Sequence, residues 1–141
     1  MTIKNVVVAT DFGDASMEAL AWALRLAEPL GAKVNVVHVF QEQDQQSALR
    51  ALRNLGESFA GSSAFGSCTA RAGDPTRTVL DFALSARADL LVIGLNGGMG
   101  TKSELLGGHA EGLLRSAPCP VVVVRPSELD LLAIAEEKRR S

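Results

Sequence analysis

A chain of 141 residues is long enough to bury one substantial core and too short for two, so a single domain is expected. Apolar residues make up 47%, charged residues 21% and the net charge is -2, which excludes the disordered class and argues against a basic surface for DNA or anionic lipid. No apolar stretch reaches the roughly 20 residues of a membrane span and no targeting segment is visible, so a cytoplasmic protein with neither DNA nor membrane as partner is expected.

Ile3 to Ala9 (IKNVVVA) is a nearly continuous β-branched run, the pattern of a strand buried on both faces. It runs into Thr10-Asp11-Phe12-Gly13, where an aspartate just past a strand has the ordinary role of a turn or cap residue. Asp14 is placed to cap the helix that follows, Glu18 complements its dipole, and Leu20, Ala23, Leu24 and Ala27 recur at helical spacing. Gly31 then stands where a left-handed cap is wanted. Val34 to Phe40 reads as the second strand, with His38 inside it as a packed residue rather than a catalyst. Leu52, Leu55 and Phe59 mark a second helix, and Ser67 to Ala72 a weaker strand. Asp74 followed by Pro75 starts a third helix carrying Val79, Phe82, Ala83 and Ala86.

Leu90 to Gly94 (LLVIG) and Val121 to Val124 (VVVV) complete the strands. Alternation of strand and helix with short links predicts an α/β domain: a five-stranded, mostly parallel open sheet with helices on both faces and right-handed crossovers. Ligands of such sheets bind beyond the carboxyl ends of the strands, which directs attention to the loops after Ala9, Phe40 and Gly94.

Six glycines fall within the fifteen residues from Gly94 to Gly108, between a buried strand and a helix. Glycine lets backbone N–H groups approach a ligand closely, and the helix start adds unsatisfied donors and a positive dipole end, so phosphate is the natural guest; the plain alternative is a loop rich in glycine for conformational reasons alone. No Gly-Lys-Ser/Thr occurs, so this is not a P-loop, and Thr10-Asp11-Phe12-Gly13 is not a Rossmann fingerprint. His109 sits at the same helix start, where a solvated or capping role is the simpler reading. No nucleophile elbow, Cys–His pair or close carboxylate pair can be nominated, and Asp11, Asp14 and Glu18 have cap and dipole roles that compete with metal binding. Cys68 and Cys119 lack zinc or Cys-x-x-Cys spacing and read as reduced thiols.

The spacing Gly94-x2-Gly97-x9-Gly107 behind LLVIG resembles the nucleotide signature of the universal stress protein family, Gly-x2-Gly-x9-Gly-Ser/Thr. VVVATDFGDAS resembles the family's first strand and Asp turn, VVHVF its second strand, AGDPTRTVLDFA its Gly-x-Pro helix start and SAPCPVVVVRP its closing strand. The resemblance runs from Ile3 to Pro126 and implies a family domain over residues 1–126, strand order 3-2-1-4-5 and the adenine nucleotide alpha hydrolase-like fold. Residues 127–141 form a tail whose Ser127 and Asp130 are spaced like a helix cap and its partner; it is expected as a short helix with its apolar first half docked.

By the same resemblance, the backbone at Ala9 and Thr10, the Asp11 carboxylate and the Val39 backbone hold adenine and ribose, while Gly94, Gly97, Gly98 and Gly107, with Gly108 and His109 beside them, surround the phosphates. The implied ligand is ATP or a related adenine nucleotide, accompanied by magnesium, in a stress-response sensor without dedicated catalysis; slow ATP hydrolysis is compatible with that role. The chain departs from the pattern where the family supplies hydroxyls, with Gly108 directly after the last motif glycine and Ala110 two residues on. These losses keep a second reading open, a family member acting through protein contacts without nucleotide. Either reading implies a regulatory protein partner, which the sequence does not identify, and a homodimer joined through Val121–Val124.

Overall fold

The computed structural model describes residues 2–95 and 108–125. Gly97, Gly98 and Gly107 of the glycine loop, and the tail 127–141, lie outside the described residues.

Among the described residues, β1 (Asn5–Ala9), β2 (Lys33–Phe40), β3 (Phe65–Ala72), β4 (Leu90–Gly94) and β5 (Val121–Val124) form one sheet in the order β3-β2-β1-β4-β5. Every neighbouring pair is parallel. The connections are α1 (Asp14–Leu30), α2 (Gln45–Phe59) after a short 3-10 turn at Glu42–Asp44, α3 (Pro75–Ser85) and α4 (Gly108–Ser116). The predicted fold and strand order are therefore present, with β1 beginning two residues later than its apolar run and β3 two residues earlier than its own.

Strand alternation divides the core into two layers. Val6, Val8, Val34, Val36, Leu90 and Val92 face α1 and α2, packing with Leu20, Ala23, Leu24 and Leu55. Val7, Val37, Leu91 and Ile93 face α3 and α4, against Val79, Phe82 and Leu113. Among the described residues nine large side chains are fully buried, six of them valines of β1 and β2. Each such side chain contributes about 1.5–3 kcal/mol of burial, which is why the two-sided apolar runs anchor the centre of the sheet. At its two edges burial weakens: all four β5 valines are only half-buried, and half of the β3 residues are exposed.

Helix ends follow local rules with one correction. Asp74 accepts from the Arg77 N–H at 2.9 Å with Pro75 at the first helical position, and Gly31 closes α1 in the left-handed region at φ 68. Asp14, expected as the cap of α1, is instead its first helical residue. The cap is Gly13, extended at φ -75 and ψ 166, whose carbonyl accepts from the Met17 N–H. The turn ahead of it consumes one residue more than the sequence reading allowed, leaving Asp14 to act only through the helix dipole.

Cys68 and Cys119 are both free and half-buried, and burial pushes both thiols up, with the Asp89 charge adding to the effect at Cys119. Asp89 itself ties the amino ends of β4 and β1 together: its Oδ2 accepts from the backbone N–H groups of Lys4 at 2.8 Å and Asn5 at 2.9 Å, while its own N–H donates to the Asn5 carbonyl at 2.8 Å. Those two N–H groups hold its carboxyl below the usual carboxylate range, and the Lys4 charge acts in the same direction. A lowered folded-state pKa stabilises the fold at pH values above the ordinary carboxylate range and loses that contribution as pH falls through it. Asp89→Asn should therefore lower the urea midpoint at pH 7 and narrow the difference between midpoints at pH 7 and pH 3; an unchanged pH dependence contradicts the clamp.

Candidate functional site

The carboxyl ends of β1, β2 and β4 converge at the middle of the sheet, where the strand order reverses direction. Ala9 pairs in register with Val37, Val8 with Val92, and the Thr10 N–H extends the ladder to the Val37 carbonyl at 3.0 Å. Beyond this point the chain must leave the sheet and begin α1 within three residues, and a compact set of hydrogen bonds makes that turn.

Thr10 and Ser16 are each only 6% exposed, the two buried polar residues of the described core. Their hydroxyls lie 2.9 Å apart. The Phe12 N–H donates to Thr10 Oγ1 at 3.0 Å, and the Asp11 N–H to Ser16 Oγ at 3.3 Å. Ser16 has one proton and two acceptors within reach, Asp11 Oδ1 at 2.8 Å and the Gly13 carbonyl at 3.1 Å. The carboxylate is the shorter and charge-assisted partner, so the proton belongs there. The order is then fixed: the Phe12 N–H donates to Thr10, Thr10 to Ser16, and Ser16 to Asp11. The Gly13 N–H also donates to Asp11 Oδ1, at 2.7 Å. Asp11 thus spends one oxygen on the turn and, among the described residues, keeps Oδ2 open at an exposed position.

Phe12 takes a left-handed backbone at φ 65, a conformation that costs a non-glycine residue about 1–2 kcal/mol. Its ring offsets this by packing on the α1 side of the core and against His38, with centroids 4.4 Å apart. His38 Nδ1 lies 2.8 Å from the Thr10 carbonyl, which can only accept, so Nδ1 carries the proton. His38 is accordingly half-buried and braces the turn, where the sequence suggested a residue simply packed in the core.

A groove of about 400 Å³ opens beside this turn, and its walls include Asp11, Phe12, His38, Val39, Phe40 and Asp44. It brings together Asp11 and Val39, two of the residues singled out in the sequence. Of the others, Ala9 ends β1 half-buried, Thr10 is buried, Gly94 ends β4, and Gly108 and His109 open α4. Ala110 packs against the apolar layer beneath α3 and α4.

Gly94 has a structural demand of its own. A Cβ at this position would lie 2.3 Å from the Ala15 carbonyl oxygen and 2.8 Å from the Ser16 N, so the first turn of α1 rests directly on the end of β4. The start of the glycine loop and the Asp11 turn are held at a fixed spacing by this approach.

Three further residues shape the site, Phe12, His38 and Ser16, and of these Ser16 carried a signal in the sequence. Ser16 precedes Ala19, Leu20, Ala23, Leu24 and Ala27 on the buried stripe of α1, and a hydroxyl on such a stripe needs a partner. Among the described residues no group of three or more His, Cys, Asp or Glu is placed to hold a metal ion. The donor set instead suits a ligand that presents hydroxyl or amine donors to an open carboxylate oxygen, with aromatic rings alongside.

The sequence model of the universal stress protein family matches residues 2–125. The chain belongs to this family. A universal stress protein of Methanocaldococcus jannaschii is 28% identical over 142 residues, covering 86% of this chain and 82% of the relative. Among solved universal stress proteins, one from Lactobacillus plantarum superposes with a TM-score of 0.73 at 23% identity, covering 89% of this chain and 99% of the other. A universal stress protein in complex with cAMP superposes with a TM-score of 0.68 at 26% identity, covering 88% and 98%. The parallel sheet is thus that of a universal stress protein domain.

Because the contact at Gly94 is with helix backbone rather than a movable side chain, Gly94→Ala must displace α1 or β4. Thermal unfolding should show a loss of about 1–3 kcal/mol, the usual cost of overpacking. A melting temperature equal to that of the unaltered protein contradicts the close approach.

Proposed function

We propose that this universal stress protein is a nucleotide-responsive regulator. An adenine nucleotide, ATP or a relative, lies over the carboxyl ends of β1, β2 and β4, and a partner protein reads the occupied surface. The observation that carries this reading is the preorganised Asp11, whose Oδ2 is, among the described residues, an open acceptor beside Val39 in a groove of about 400 Å³, within the size range of small-ligand sites. A ribose or base donor meets that oxygen without any rearrangement of the turn, and Phe12, His38 and Phe40 offer flat surfaces for a base. The cAMP complex of a universal stress protein 26% identical to this chain supports an adenine nucleotide as the guest. Magnesium would accompany the phosphates rather than occupy a cluster of protein ligands. The role is binding and signalling, with no dedicated catalysis, and its setting is the cytoplasm; among the described residues no helix is long and apolar enough to cross a membrane.

Binding is expected to be weak, because Gly108 and Ala110 remove two hydroxyls from the phosphate side. Micromolar to millimolar affinity corresponds to roughly -8 to -4 kcal/mol. Gly108 is the position worth restoring, because it opens α4, whereas Ala110 already packs in the apolar layer. In calorimetric titration with ATP and magnesium, Gly108→Ser should tighten binding by roughly ten- to hundredfold, since a hydrogen bond to a charged group contributes about 1.5–3 kcal/mol. Asp11→Ala should weaken it by a similar factor. No heat from the unaltered protein at millimolar ATP, and none from folded Gly108→Ser, would favour the reading in which the domain acts through protein contacts alone.

Among the described residues β5 is an edge strand with four half-buried valines, which supports a symmetric homodimer through Val121–Val124. Sedimentation should show a dimer at micromolar concentration that Val123→Asp converts to a monomer. A monomeric unaltered protein rules the assembly out.

A further inference from the structure

We infer that Ser16 is a positioning residue for the nucleotide site: it holds the Asp11 carboxylate in its ligand-ready orientation and keys that orientation to the end of β4. This inference rests on the nucleotide-binding reading above and adds to it a residue outside the glycine signature. A serine in the first turn of a helix ordinarily makes a local bond to backbone. Ser16 Oγ does more, meeting Thr10 Oγ1, Asp11 Oδ1, the Asp11 N–H and the Gly13 carbonyl within 3.3 Å. Burial to 6% exposure denies it water as a substitute partner, so each bond lost by removing the hydroxyl is left unmade rather than replaced.

The direction of the chain gives Ser16 its specific effect on the ligand side. Thr10 donates into Ser16 and Ser16 donates into Asp11, so the proton on Ser16 fixes which carboxylate oxygen faces the turn and which faces the groove. Without it, the carboxylate keeps, among the described residues, only the Gly13 N–H, at 2.7 Å, and is free to rotate about its side-chain bonds. At its backbone end the same residue is confined by Gly94, where even a methyl group would come within 2.8 Å of the Ser16 N. Ser16 therefore touches both halves of the site: the carboxylate through its side chain and the first residue of the glycine signature through its backbone.

A merely structural serine and a positioning serine make different predictions in a double-mutant cycle. Affinities for ATP and for adenosine are measured calorimetrically on the unaltered protein, Ser16→Ala, Asp11→Ala and the double variant, each checked for a cooperative thermal transition. If Ser16 acts through Asp11, Ser16→Ala weakens both ligands by the same factor, about tenfold, and causes no further loss once Asp11 is alanine. Proportionate losses for ATP and adenosine place the effect at the ribose and base side, not at the phosphates. Fully additive losses, or a loss confined to ATP, overturn the proposal.

Should Ser16→Ala not fold, Ser16→Thr keeps a hydroxyl at the position and is expected to retain affinity within about threefold; a tenfold loss in a folded Ser16→Thr counts against the proposal. Absence of binding by the unaltered protein sinks the nucleotide reading and this inference with it, whereas binding that Ser16→Ala leaves unchanged sinks this inference alone. Amide exchange gives a readout that needs no nucleotide: the Gly13 and Phe12 N–H groups should exchange faster in Ser16→Ala, and unchanged protection contradicts a turn held by this hydroxyl.

Discussion

A parallel strand that must turn into a helix at the centre of a sheet leaves its last polar groups with few partners, and here one buried hydroxyl meets that constraint. Ser16 stands in the first turn of α1 and binds back to Thr10 and Asp11, so strand, turn and helix become one hydrogen-bonded unit. The left-handed Phe12 and the bracing ring of His38 belong to the same unit. Loosening any member shifts the others, because the bonds run in series and each hydroxyl donates in only one direction.

The position of the groove follows from this. Parallel strands point their carboxyl ends the same way, and β1 lies at the centre of the order β3-β2-β1-β4-β5, with connections departing to opposite faces on its two sides. Two layers of apolar side chains fix the strands beneath, leaving the edge above to polar groups. Asp11 is exposed there because its backbone is committed to the turn and only one of its oxygens is needed to hold it. An acceptor fixed before binding costs little further ordering when a ligand arrives, which favours recognition by a shallow site.

Much of this architecture could be read in the sequence, and for identifiable reasons. The valine runs of β1, β2 and β4 are apolar at successive positions because both faces are covered, and with the alternation of strand and helix that pattern pointed to the parallel sheet. Asp74-Pro75 and Gly31 behaved as their local chemistry requires. Asp14 did not cap α1, since the choice between neighbouring cap positions was decided by the Thr10–Gly13 turn, a set of contacts invisible to a rule about single residues. His38 looked like core because its neighbours are valines, yet its side chain faces the end of the sheet where a carbonyl needed a donor. The glycine signature pointed to the phosphate side, but the polar device behind Asp11 had to be found in the coordinates. Its one sequence trace was a serine on an otherwise apolar helical stripe.

The proposed reading of nucleotide by the preorganised turn after β1 comes down to whether that turn responds to a ligand without phosphates. Backbone amide chemical shifts followed during titration with adenosine test it most directly, because a phosphate-free ligand isolates this half of the site. The largest shifts should fall on Thr10 to Ser16 and on Val39 to Gln41, saturating together with a single affinity. Shifts confined to β3 or the outer face of α2, or none at saturating adenosine in a protein that binds ATP, would contradict it.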